Sequence, residues 1–63
     1  MFFLTNKFLI MATTSPWHSI KQHVHHNNTN CNTGNNIEKE NHKNGTGDKP
    51  ICEECKKLNK DGK

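Results

Sequence analysis

The residues of this chain best suited to chemistry are three cysteines and a run of histidines. Cys52 and Cys55 stand in "ICEEC" as a C-x2-C pair, and Cys31 lies about twenty residues upstream in "HHNNTNCNTGNN". Two thiolates at C-x2-C spacing fall on one tight turn, whose amides point back at the sulfurs and stabilise their charge. Structural zinc takes four nitrogen or sulfur ligands in a tetrahedron. Three thiolates therefore leave one place for a histidine. His26 stands at H-x4-C from Cys31, a knuckle spacing in which a short loop returns the chain to the same ion. His23 and His25 are alternative donors at H-x7-C and H-x5-C, while His18 and His42 lie outside this half-site. The ligand set read from the sequence is His26, Cys31, Cys52 and Cys55, with Zn2+ as the cofactor.

Other uses of the cysteines fit less well. Three is an odd number, so a disulfide framework leaves one thiol unpaired. A bridge between Cys52 and Cys55 would close too small a loop to organise the rest. Cys31 paired with either would close a longer loop and contribute a few kcal/mol. A secreted peptide of that kind would carry acceptor sequons at Asn27 and Asn44. A redox role for the C-x2-C pair needs a βαβ setting that this chain does not provide.

The demand for a staple follows from composition. The chain has 63 residues, 29% of them hydrophobic, and much of that fraction lies in the first dozen. From Thr13 onward the apolar side chains, cysteines aside, are Trp17, Ile20, Val24, Ile37, Ile51 and Leu58. So few cannot offset ordering costs of about 1–2 kcal/mol for each residue fixed. Scaffolds under about 70–80 residues are usually held by metal or disulfides. A structural zinc is worth about 10–16 kcal/mol in finger-sized peptides, which is the scale of the shortfall. The net charge of +3 comes with mixed signs and no arginine. Phosphate and guanine recognition favour the arginine fork, so the nucleic-acid footprint is weak.

The elements that must position the ligands are short. "SPWHSIKQHV" carries a helix-start pattern, with Ser15 as N-cap, Pro16 at the first position and Trp17, Ile20 and Val24 on one face. A strand ending in "HVHH" is the competing reading. Residues 25–36 read as loop, and "NNIEKEN" as a turn or two of helix capped by Asn36. "HKNGTGDKP" reads as a second loop, with Asn44-Gly45 as a turn pair and Gly47 free to take positive φ. After the C-x2-C pair, "EECKKLNKDG" reads as a terminal helix with Gly62 beyond its end. Residues 1–12, "MFFLTNKFLIMA", form an apolar extension too short to span a bilayer. As a signal peptide it lacks a basic leading region, and Met11 is an alternative start.

Three resemblances follow from these residues. "GTGDKPICEECKK" resembles the linker and first ligand pair of classical Cys2His2 fingers, but only eight residues follow Cys55 and no later histidine pair exists. "HVHHNN" ahead of "ICEECKK" resembles the His-Asn-His nucleases. That likeness implies His25 or His26 as general base, but the second metal-binding histidine is missing. The pattern His26, Asn27, Asn28, Cys31, Gly34, Asn35, Asn36, Ile37, Glu38, Gly45, Thr46, Gly47, Cys52 and Cys55 is similar to short uncharacterised bacterial proteins. It covers roughly residues 23–58 and implies a zinc-ribbon or knuckle-like unit.

The expectation is a small irregular metal-stabilised domain over residues 13–63, zinc-ribbon or knuckle-like with short helices. Its function reads as a structural zinc-binding module of the cytoplasm, without catalytic residues and without a transmembrane span. It would bind a protein partner or, as the second choice, a nucleic acid through the "GNNIEKEN" and "HKNGTG" loops. Four protein ligands close the coordination and leave no position for an activated water.

Overall fold

The computed structural model describes residues 12–63. The extension expected over residues 1–12, with its signal-peptide and alternative-start readings, lies outside the described residues except for Ala12. The rest forms a three-stranded antiparallel sheet with short helices packed at one edge.

The first element corrects the sequence reading. Residues expected as a helix from Ser15 form strand β1, Thr13–Ser19. It is the central strand, flanked by β2, His25–Asn28, and β3, His42–Asn44, in the order β2-β1-β3. The helical stripe of Trp17, Ile20 and Val24 is only three residues long, and pairing on both sides outweighs it. Trp17 faces His26 on β2 and Asn44 on β3, while Ile20 ends up exposed. Pro16 is tolerated because the β1–β2 register is irregular between Thr13 and Trp17. On the other side its carbonyl accepts from Gly45 N–H at 2.9 Å.

The stretch expected as loop is likewise ordered. After β2, Cys31 caps a single helical turn, α1, Asn32–Asn35. Asn36 closes that turn instead of opening a helix, and only a 3-10 turn, Lys39–Asn41, follows. Beyond β3, Gly45 and Gly47 take φ of +96° and +60°, and Asp48 takes +60°. Gly47 and Asp48 are the central residues of a turn closed by Lys49 N–H donating to Thr46 O at 3.0 Å. Two left-handed residues in succession suit Gly-Asp, because Asp tolerates this region better than most side chains.

The last helix, α2, Glu53–Lys60, is where the sequence placed it. Two acidic residues in its first turn and lysines in its last suit the helix dipole. Gly62 beyond it has φ +75°. The chain entering α2 runs along the outer edge of β2. His25 N–H donates to Pro50 O and Cys52 N–H to His25 O, both at 2.8 Å, in a parallel bridge between His25 and Ile51. This bridge sets Cys52 beside His26.

The core is unusual in what it contains. The fully buried large side chains are His26, Asn28, Cys31 and Cys55. Apolar side chains are subsidiary: Trp17 is buried, and half-buried Val24, Ile51 and Leu58 pack against the cysteines.

Candidate metal centre

Each member of the cluster is delivered by a different local rule. His26 and Trp17 are direct partners across β2 and β1, so both side chains leave the same sheet face. That face turns toward the helices, and the rings sit 5.7 Å apart between centroids. Their neighbours His18 and His25 are also partners and therefore project from the opposite face. Cys31 is the N-cap of α1 and its sulfur accepts from Gly34 N–H at 3.4 Å. Cys52 is the N-cap of α2, and Cys55 lies in the first turn of that helix, facing inward. Main-chain N–H groups at helix starts favour negative charge nearby, which suits thiolates.

The four donor atoms converge. His26, Cys31, Cys52 and Cys55 are all buried, and one ligand atom from each lies within 4.8 Å of all the others. His26 Nδ1 is 3.5 Å from Cys31 Sγ and 3.7 Å from Cys55 Sγ, and Cys31 Sγ is 3.9 Å from Cys52 Sγ. All three cysteines are free thiols. The four residues together could hold one metal ion.

No family model matches this chain, nor does any curated protein or solved structure.

Burial disfavours charge on the donors in the metal-free site. Burial first, with the neighbouring cysteines adding to it and the Gly34 N–H opposing it, pushes the Cys31 thiol up to about 12. Burial also pushes His26 down, helped by His25 and opposed by Glu54. His26 Nε2 is buried with no hydrogen-bond partner among the described residues. An unpartnered ring nitrogen costs about 1–3 kcal/mol, and a metal on Nδ1 leaves that cost in place.

The other histidines of the sequence reading are placed elsewhere. His25 Nδ1 donates to Lys49 O at 2.6 Å, and His18 Nδ1 donates to Gly45 O at 2.8 Å. A carbonyl only accepts, so each ring carries its proton on Nδ1. The pair staples the 45–49 segment to the back of the sheet. His23 and His42 are exposed.

Several supporting residues had no clear signal in the sequence. Trp17 Nε1 donates to Gly34 O at 2.9 Å, locking the indole over the turn that Cys31 caps. Gly34 is required there, since a Cβ would fall 2.8 Å from both His26 Cγ and Trp17 Cζ2. Asn28, fully buried, receives Asn30 N–H on its Oδ1 at 2.8 Å and donates through Nδ2 to Asn59 Oδ1 at 2.9 Å. Asn59 Nδ2 in turn donates to Asn27 Oδ1 at 3.0 Å, so β2 and α2 are joined by a short amide chain. Glu54 links the two helices beside Cys31. The hints that the sequence offered for these were the turn-forming Asn27, Asn28 and Gly34.

Proposed function

We propose that the chain is a small structural zinc module, with one Zn2+ held by His26 Nδ1 and the sulfurs of Cys31, Cys52 and Cys55. The observation that carries this reading is the spacing of the donors. Ligand distances of about 2.3 Å for sulfur and about 2.0–2.1 Å for nitrogen give tetrahedron edges of about 3.8 Å S···S and about 3.5 Å N···S. The contacts of 3.9, 3.5 and 3.7 Å match those edges. Carboxylate-rich, oxygen-coordinating sites suit magnesium and calcium, whereas thiolate and imidazole suit zinc.

Knuckle-like halves describe the arrangement: His26 and Cys31 on a strand and the turn after it, Cys52 and Cys55 at a helix start. That supports the zinc-ribbon or knuckle-like class and the resemblance to the bacterial proteins with the H…C…GNNIE…GTG…C-x2-C pattern. Reduced, metal-bound thiols fit a cytoplasmic setting. With four protein donors the ion has no open position, so its work is architectural and the product is a rigid surface for a protein partner. The residues of the "GNNIEKEN" segment other than Gly34 and Asn41 are exposed or half-buried and available to such a partner. Among the described residues no helix is long and apolar enough to cross a membrane.

Cobalt substitution tests the ligand set. A Co2+-loaded chain should show strong tetrahedral absorption and thiolate charge-transfer bands that weaken on replacing any of the three cysteines with serine. A weak, octahedral spectrum from the intact chain would overturn the assignment.

A further inference from the structure

Helix α2 brings a carboxylate to the same place as its two cysteines. Glu54 Oε2 accepts from Asn32 N–H at 3.3 Å, and Oε1 accepts from the Thr33 hydroxyl at 3.2 Å. Oε1 also accepts from Cys31 Sγ at 3.6 Å. All three donors belong to the turn that Cys31 caps, so the carboxylate is anchored beside that one sulfur.

Cys31 therefore has two neighbours of opposite preference. Gly34 N–H, at 3.4 Å, supports a negative sulfur. Glu54 Oε1 takes the opposite side, an acceptor 3.6 Å from that sulfur. A metal-bound thiolate has no hydrogen to donate, and three thiolates around a dication leave a net charge of about −1. The contact then sets carboxylate against thiolate, while Asn32 and Thr33 prevent the carboxylate from swinging away. Lys49, on the chain entering α2, has its Nζ committed to the carbonyls of Ser19 and Gln22 at 2.9 and 2.6 Å. Cys52 and Cys55 have no such anchored carboxylate among the described hydrogen bonds.

Resting on the zinc reading, we propose that Glu54 is a positioning residue that keeps Cys31 an exchangeable ligand. An anchored carboxylate opposes the metal–thiolate bond at that sulfur, loosens retention of the ion and makes Cys31 the thiolate at which the metal leaves. The site is thereby asymmetric: a firm pair on α2 and a releasable ligand on α1.

The test is the full chain loaded with zinc, as wild type and as Glu54→Gln, which keeps the shape and one acceptor oxygen but removes the charge. Zinc release to an excess of chromophoric chelator gives the rate. Mass spectrometry of iodoacetamide labelling at partial release shows which thiol is exposed first. The expected result is release slowed about two- to fivefold in Glu54→Gln, the range for a half-exposed charge pair. Wild type should label first at Cys31, and the variant should lose that preference. Thr33→Val, at an exposed position, removes one anchor and should shift both readouts the same way by less, so the test survives poor folding of Glu54→Gln. Release from Glu54→Gln as fast as or faster than wild type overturns the proposal, as does first labelling at Cys52 or Cys55 in wild type. Those outcomes leave the zinc site standing, whereas a wild-type chain that takes up no zinc overturns both.

Discussion

A single methyl group added at residue 34 should be felt at the metal centre. In Gly34→Ala the new Cβ falls 2.8 Å from His26 Cγ, 2.8 Å from Trp17 Cζ2 and 3.0 Å from His26 Cβ. Contacts this short force something to move, and neither neighbour moves cheaply. The indole is tied to Gly34 O at 2.9 Å, and the imidazole is fully buried with Nδ1 among the sulfurs. Overpacking of this kind costs about 1–3 kcal/mol. Alanine recovers up to about 1 kcal/mol as a better helix former. The net loss of about 1–2 kcal/mol appears mostly as a displaced ligand, which at about 1.4 kcal/mol per decade raises the zinc Kd by roughly 5–30-fold. Competition with a chelator of known affinity measures it, and Trp17 fluorescence reports the altered packing. Asn32→Ala, an exposed side chain on the same turn, is the control. Zinc affinity for Gly34→Ala within twofold of wild type would refute the argument that the turn, the indole and the imidazole form one packed unit.

Three further outcomes are expected. Gly47→Ala places a Cβ 2.8 Å from the His18 ring at φ +60° and should cost about 1–3 kcal/mol, seen as a lower Tm of the zinc-loaded chain; an unchanged Tm contradicts the staple made by His18. Asn28→Asp removes the donor to Asn59 Oδ1 and buries a charge, so it should destabilise by about 2–4 kcal/mol in urea unfolding, and near-neutral behaviour would refute the amide chain. Zinc uptake should release protons chiefly from sulfur, because thiols keep their hydrogen at neutral pH and burial pushes Cys31 further up, to about 12. Thiolate ligation makes zinc affinity rise with pH. Calorimetry at pH 7 in buffers of different ionisation enthalpy should count close to three protons, one per cysteine, and a count near zero rules out thiolate ligation.

What the sequence revealed and what it hid follow from how local each signal is. Helix α2 was legible because its acidic first turn, lysines and trailing Gly62 are contiguous. The clustering of Cys52, Cys55, Cys31 and a histidine was legible because ligand spacing is a covalent constraint. Strand β1 was not legible: Ser15-Pro16 has the chemistry of a helix start, and only partners far along the chain, His26 and Asn44, make Trp17 a strand residue. Strand β3 has no apolar alternation, since His42, Lys43 and Asn44 are all exposed. Its pairing rests on main-chain bonds and on the His18 contact to Gly45. The choice of His26 over His23 and His25 in the cluster depends on which face of β2 turns inward. That is fixed by register, which spacing alone does not contain.

The central claim is that a metal ion, bound by four buried donors, takes the place of an apolar core. Native mass spectrometry before and after chelation, with far-ultraviolet circular dichroism on the same samples, tests it most directly. The account predicts one zinc ion per chain, three thiols shielded from alkylation until the chelator is added, and loss of the sheet and helix signal on removal. A chain that carries no metal yet keeps its spectrum and its shielded thiols would contradict it.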